Sequence, residues 1–67
     1  MREASDTVWY AEYVNRNAAE SARYYLAAQA VRDLPGRWAQ YMHAAAMFTR
    51  SAMWGRRQLL QLPCELY

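Results

Sequence analysis

The sequence predicts an all-α protein, a two-helix antiparallel hairpin. Three observations lead to this prediction. Residues rich in Ala, Leu, Met, Arg and Gln, which favour helices, fill both halves of the chain. The single break, 33–36, reads Asp-Leu-Pro-Gly and lies almost at the midpoint of the 67 residues. Apolar residues on both sides of it recur at spacings of three and four.

We expect one domain over 1–67, with helix 1 at about 6–33, a turn at 34–36, helix 2 at about 37–62 and a short tail at 63–67. Pro35 lacks an N–H and disfavours the helical conformation in the residue before it, so it should end the first helix. Gly36 is free to take a positive φ in the turn.

The first helix shows an amphipathic pattern. Ser5 or Asp6 is the predicted N-cap, because a side-chain oxygen there could accept a bond from an unpaired N–H. The predicted seam toward the second helix is formed by apolar and small residues: Ala11, Val14, Ala18, Ser21 or Ala22, Tyr25, and Ala28 or Gln29. Trp9 falls on the opposite, charged side, where it is either covered by N-terminal residues or available to a partner; we favour the partner.

The second helix has the stronger periodicity. Its seam follows alternating spacings of three and four for more than three heptads: Trp38, Tyr41, Ala45, Phe48, Ala52, Gly55, Leu59 and Leu62. We expect Trp38 in the core. Gly55 marks a close contact, a kink or a weak point, and we favour the close contact.

Two helices of this length cannot enclose a large core. A chain this small buries only about 60% of its unfolded surface. Cys64 is the only cysteine and His43 the only histidine, so neither an internal disulfide nor a Cys- or His-rich metal site is available. We therefore expect completion of the core by dimerisation into a four-helix bundle or by docking on a larger partner, with no cofactor.

Positive charge is concentrated in the second half. Residues 1–34 hold four Arg and five acids, a net −1, whereas residues 35–67 hold four Arg and one acid, a net +3. Arg50 and Arg57 follow one stripe with Arg56 beside it, and Trp54 lies between them, where its ring could stack on either guanidinium. The candidate partner-binding residues are Trp9, Arg50, Trp54, Arg56 and Arg57.

The arginines can also be explained without a binding partner. Arg56 and Arg57 could simply complement the negative end of the helix dipole, while Arg50 belongs to a solvated face. The functional interpretation is a basic, aromatic patch for an acidic protein surface or for nucleic acid. The sequence leaves both interpretations open.

Composition favours some classes of function over others. No nucleophile with its base, phosphate-binding glycine loop or metal-ligand spacing is visible, so we do not expect an enzyme or a small-molecule substrate.

The polar start, 1–6, does not resemble a signal peptide, no apolar run is long enough to span a membrane, and the single cysteine fits a reducing cytoplasm. All eight basic residues are Arg and there is no Ile, which is typical of a GC-rich genome and fits a bacterial or phage origin.

Two functional hypotheses follow, from different classes. The first is a small non-catalytic protein–protein interaction module, an inhibitor that blocks a surface of a larger host enzyme, a regulator or a nucleic-acid-guided defence complex. The second is an RNA-binding helical dimer. In length, hairpin topology and alternation of Ala with larger seam residues, the chain resembles the small plasmid-copy-control proteins of the Rop type, although no RNA-contact motif matches. An accessory subunit of a large complex would share the features of the first hypothesis.

Overall fold

A computed structural model describes residues 2–62, with side chains from Asp6 onward. It contains two helices, α1 (Arg2–Ala30) and α2 (Pro35–Gln61), packed along each other as a hairpin. The predicted all-α helical hairpin is confirmed. The fold is a rod with extents of 53 × 15 × 14 Å, so each helix has only one other helix to pack against.

The first helix begins earlier than expected. It starts at Arg2, so Ser5 and Asp6 lie inside the helix and the predicted N-cap is wrong. Arg2, Glu3 and Ala4 are good helix formers, which favours the added turn. The predicted tail, 63–67, lies outside the described residues.

The turn also differs from the prediction. The first helix ends at Ala30, and residues 31–34 form the turn, closed by a bond of 2.8 Å from the Leu34 N–H to the Val31 carbonyl. Pro35 opens α2, where its missing N–H costs nothing because the first N–H groups of a helix have no partner. Gly36 is helical too and does not take the positive φ expected of it.

The seam between the helices is lined by the smallest residues. Ala28, Ala45 and Ala52 are buried, together with Gly55. A methyl group added at Gly55 would lie 2.7 Å from Val14 Cγ2 and 2.9 Å from Tyr13 Cδ1. The close contact predicted at Gly55 is confirmed.

Specific contacts on either side of the small residues hold the two helices in register. The Ser21 hydroxyl donates to the Ala45 carbonyl at 3.1 Å and lies 2.6 Å from the Thr49 hydroxyl. The Tyr24 ring stacks on Phe48, with ring centroids 5.5 Å apart and planes 7° from parallel. These contacts join turns of α1 and α2 that are 24 to 28 residues apart in sequence.

The seam of α1 matches the predicted stripe only in part, because Val14, Ser21 and Ala28 face α2 as expected and other members do not. Ala18, Ala22 and Tyr25 are exposed, whereas Tyr13 and Tyr24 are half-buried against α2. Large rings gain more from burial than alanine methyl groups do, so α1 is rotated to direct its tyrosines toward α2. Trp38, expected in the core, lies on the first turn of α2 and is 40% exposed, so that prediction is wrong.

The resulting core is thin. Among the described residues, no large side chain is fully buried. Ten large apolar side chains there are at least 40% exposed, from Trp38 at 40% to Leu60 at 86%. Neither of the described helices combines the length and apolar character needed to cross a membrane.

The two glycines provide a matched test of the seam. Gly55→Ala should destabilise the fold by about 1 kcal/mol, since overpacking against Val14 and Tyr13 outweighs the gain of about 1 kcal/mol in helix propensity. Gly36→Ala, with nothing within 4 Å of the added methyl, should stabilise it by about 0.4–1 kcal/mol. Urea unfolding measures both; stabilisation by Gly55→Ala would contradict the close contact.

The start of α2 offers a second test. Leu34 occupies the N-cap position with φ −115° and ψ 90°, and its side chain makes no capping bond. Leu34→Ser should add about 1 kcal/mol of stability, because the hydroxyl can accept a bond from an unpaired N–H. Leu34→Ala is the control, since it removes the same apolar side chain without supplying a cap. Equal stabilities of the two variants in urea would show that a side-chain cap at the N-terminus of α2 does not stabilise the fold.

Candidate protein-binding surfaces

Four aromatic rings gather at the open end of the hairpin, away from the turn. Trp9 stacks on Tyr13 at 5.3 Å and meets the edge of Tyr10 at 5.0 Å. Trp54 of α2 contacts Tyr10 at 5.8 Å and Tyr13 at 5.5 Å, both edge to face. We call these four residues the tryptophan cluster.

The cluster displays its two indoles and partly buries its two phenols. Trp9 is 54% exposed and Trp54 is 43% exposed, whereas Tyr10 and Tyr13 are half-buried between them. The centroid distances lie within the range of attractive aromatic pairs, which restricts ring motion. Two exposed indoles are therefore presented on a rigid support, with little conformational freedom left to lose on binding.

The structure brings together Trp9 and Trp54, which the sequence offered as separate candidates on different helices. Trp54 directs its ring toward α1, so its ring contacts are with tyrosines and not the predicted stack on Arg50 or Arg57. Tyr10 and Tyr13 were missed as site residues. The signal that could have found them is the spacing of Trp9 and Tyr13, which are four apart and therefore neighbours on one helix surface.

The three arginine candidates lie elsewhere. Arg50 and Arg56 line a shallow groove between the helices, and Arg57 lines a smaller hollow beside Arg56, with Met53 and Leu60. All three are exposed. The predicted site is thus divided, with the tryptophans in the cluster and the arginines along α2.

The groove runs along the hairpin as two adjoining hollows of about 590 Å³ and 400 Å³, which share Ala18, Ser21 and Thr49. Small residues form its floor and larger apolar side chains its walls. We call it the alanine groove; its principal lining residues are Ala18, Ala22, Tyr25, Met42, Ala46 and Met53.

The alanine groove and the tryptophan cluster lie on opposite faces of the hairpin. Trp9 and Ala18 are nine residues apart on α1, which is 2.5 turns at 3.6 residues per turn, so their side chains leave the helix in opposite directions. One face of the rod is therefore aromatic and the other is an apolar groove.

Comparison of the chain with protein-family models, with curated proteins and with solved structures finds no match. Within the part of the chain that the structure describes, no group of three or more His, Cys, Asp or Glu side chains could hold a metal ion. The surfaces that the structure offers are those of a hairpin with exposed aromatic and apolar side chains.

The interaction between the rings of the tryptophan cluster can be measured as a coupling energy. In a double-mutant cycle, Tyr13→Ala and Trp54→Ala should couple by about 0.5–1.5 kcal/mol in urea unfolding, because their rings are in direct contact. The control cycle pairs Tyr13→Ala with Trp38→Ala at the far end of α2, and should give no coupling. Similar coupling in both cycles would mean that no specific cluster forms.

Proposed function

We propose that the chain is a non-catalytic protein–protein interaction module that docks on a larger protein through the tryptophan cluster. The observation that supports this proposal is the pair of half-exposed indoles, Trp9 and Trp54, held by Tyr10 and Tyr13 across two helices. Trp and Tyr are enriched among the residues that contribute most binding energy at protein interfaces. A rigid aromatic pair is the usual form of such an anchor.

The proposed mode of action is occupation of a surface. A rod of 53 × 15 × 14 Å can cover part of the surface of a larger protein. Inhibition of a host enzyme, a regulator or a nucleic-acid-guided defence complex is the form of this activity that we propose, in a bacterial or phage setting and in the cytoplasm, where a single thiol stays reduced. The arginines of α2 would add steering toward an acidic partner.

The alternative is an RNA-binding dimer of Rop-like architecture. The exposed Arg50, Arg56 and Arg57 on a helix without acids favour it. Against it, four Arg on α2 could neutralise only a few phosphates, which gives weak binding. An accessory subunit of a larger complex would use the same aromatic surface as the interaction module.

Binding to the partner should depend on the cluster and not on tryptophan in general. Proteins captured from bacterial lysate by the wild-type chain, and then purified, should bind Trp9→Ala or Trp54→Ala about thirtyfold more weakly, the loss expected when an anchor worth about 2 kcal/mol is removed. Trp38→Ala is the matched control, because Trp38 is 40% exposed but lies outside the cluster. Titration by calorimetry gives the affinities, and circular dichroism checks the helices.

Arginine variants separate the two hypotheses. Arg50→Ala with Arg57→Ala should leave partner affinity within about threefold if the cluster is the anchor, since exposed charges contribute little. Generic RNA at low salt should bind neither wild type nor variant. RNA binding that is lost with the arginines and kept in Trp9→Ala would refute the interaction module and support the RNA-binding dimer.

A further inference from the structure

We propose that the alanine groove is the binding site for a second copy of this chain, so that two hairpins close into a four-helix bundle with the groove faces inward. The first reason for this proposal is the large surface area that a single hairpin exposes to water. The chain exposes 5506 Å², whereas a folded monomer of 7.9 kDa is expected to expose about 4,400 Å². The excess of about 1,100 Å² exceeds the roughly 800 Å² that each partner contributes to a stable protein interface.

The groove has the shape that a helix pair needs. Its lining includes Ala18, Ala22 and Ala46, which are exposed although their side chains carry no polar group that water could bond. Small residues let a neighbouring backbone approach closely, and Tyr25, Met42 and Met53 are large side chains positioned to enter the matching hollows of a second groove. A surface with both hollows and projections can pair with itself across a two-fold axis.

The charges near the groove favour a protein occupant that is apolar at its centre. On the α1 side, residues 14, 18, 21, 22 and 25 are all uncharged, and the only charges that line the groove are Arg50 and Arg56 on α2. Because no acidic residue lines the groove, its pairing encloses no carboxylate at the centre of the bundle. Both arginines are exposed, and their long aliphatic stems allow the guanidinium groups to stay in water at the edge of a paired groove.

The proposed pairing is compatible with the position of the tryptophan cluster. Pairing through the groove leaves the opposite face outward in both protomers, so the dimer presents two copies of the cluster. The dimer does not depend on the proposed partner, and failure of either proposal leaves the other standing.

The mass of the wild-type chain is the first test. Light scattering should give about 15.8 kDa, twice the 7.9 kDa of one chain, at micromolar concentration. The midpoint of thermal unfolding should rise with protein concentration, as mass action requires when folding and association are coupled. A 7.9 kDa species with a concentration-independent midpoint would overturn the proposal.

The location of the interface is tested with two adjacent alanines. In a chain with Cys64→Ser, Ala18→Cys places a thiol in the groove, and Ala19→Cys places one about 100° away on the outer surface of α1. Both positions are exposed to water in a single, unpaired hairpin. At a concentration that favours the dimer, the thiol at position 18 should react with a maleimide at least about tenfold more slowly than in dilute solution, and the thiol at position 19 at an unchanged rate.

Charge at the same two positions gives an independent measurement. Ala18→Glu should weaken self-association at least about a hundredfold, because a carboxylate would be buried in the bundle, whereas Ala19→Glu should leave it within about threefold. If Ala18→Glu unfolds the chain, the labelling rates of the Ala18→Cys and Ala19→Cys variants still locate the interface, because replacing Ala by Cys changes the side-chain volume little. A 15.8 kDa dimer with equal labelling at both positions would show that another face forms the interface and would overturn the proposal.

Discussion

Close contact between α1 and α2 at Gly55 is the constraint on which the rest of the structure depends. With no side chain there, Tyr13 and Val14 of α1 can lie against the backbone of α2. The alanines of the same seam, at positions 28, 45 and 52, continue the close packing toward the turn. A seam of such small residues brings two helices together but removes little apolar area from water.

Larger side chains are consequently placed on the two faces beside the seam. On one face the rings of α1 reach over the small residues to α2, as Tyr24 does to Phe48 and Tyr13 to Trp54. On the other face alanines leave an open groove with Met42 and Met53 at its sides. The same narrow seam therefore produces both a rigid aromatic surface and an unfilled apolar one, and each is proposed to meet a different partner.

Much of the architecture could be predicted from the sequence, and the failures have physical causes. The heptad of α2 and the contact at Gly55 were predicted because both follow from spacing within one helix. The seam of α1 was predicted only in part, since a spacing of three and four fits several neighbouring stripes and burial of the tyrosines decides among them. The meeting of Trp9 with Trp54 depends on how the two helices are aligned, which spacing within one helix does not contain.

The most direct test of the groove dimer is an isotope-filtered nuclear Overhauser experiment on a mixture of labelled and unlabelled chains, which detects only contacts between protomers. The methyl groups of Ala18, Ala22 and Ala46 should show such contacts to the partner chain, and the indole of Trp9 should show none. Intermolecular contacts confined to Trp9 and Trp54, or their absence from every groove methyl group, would contradict the proposal that a second copy completes this core.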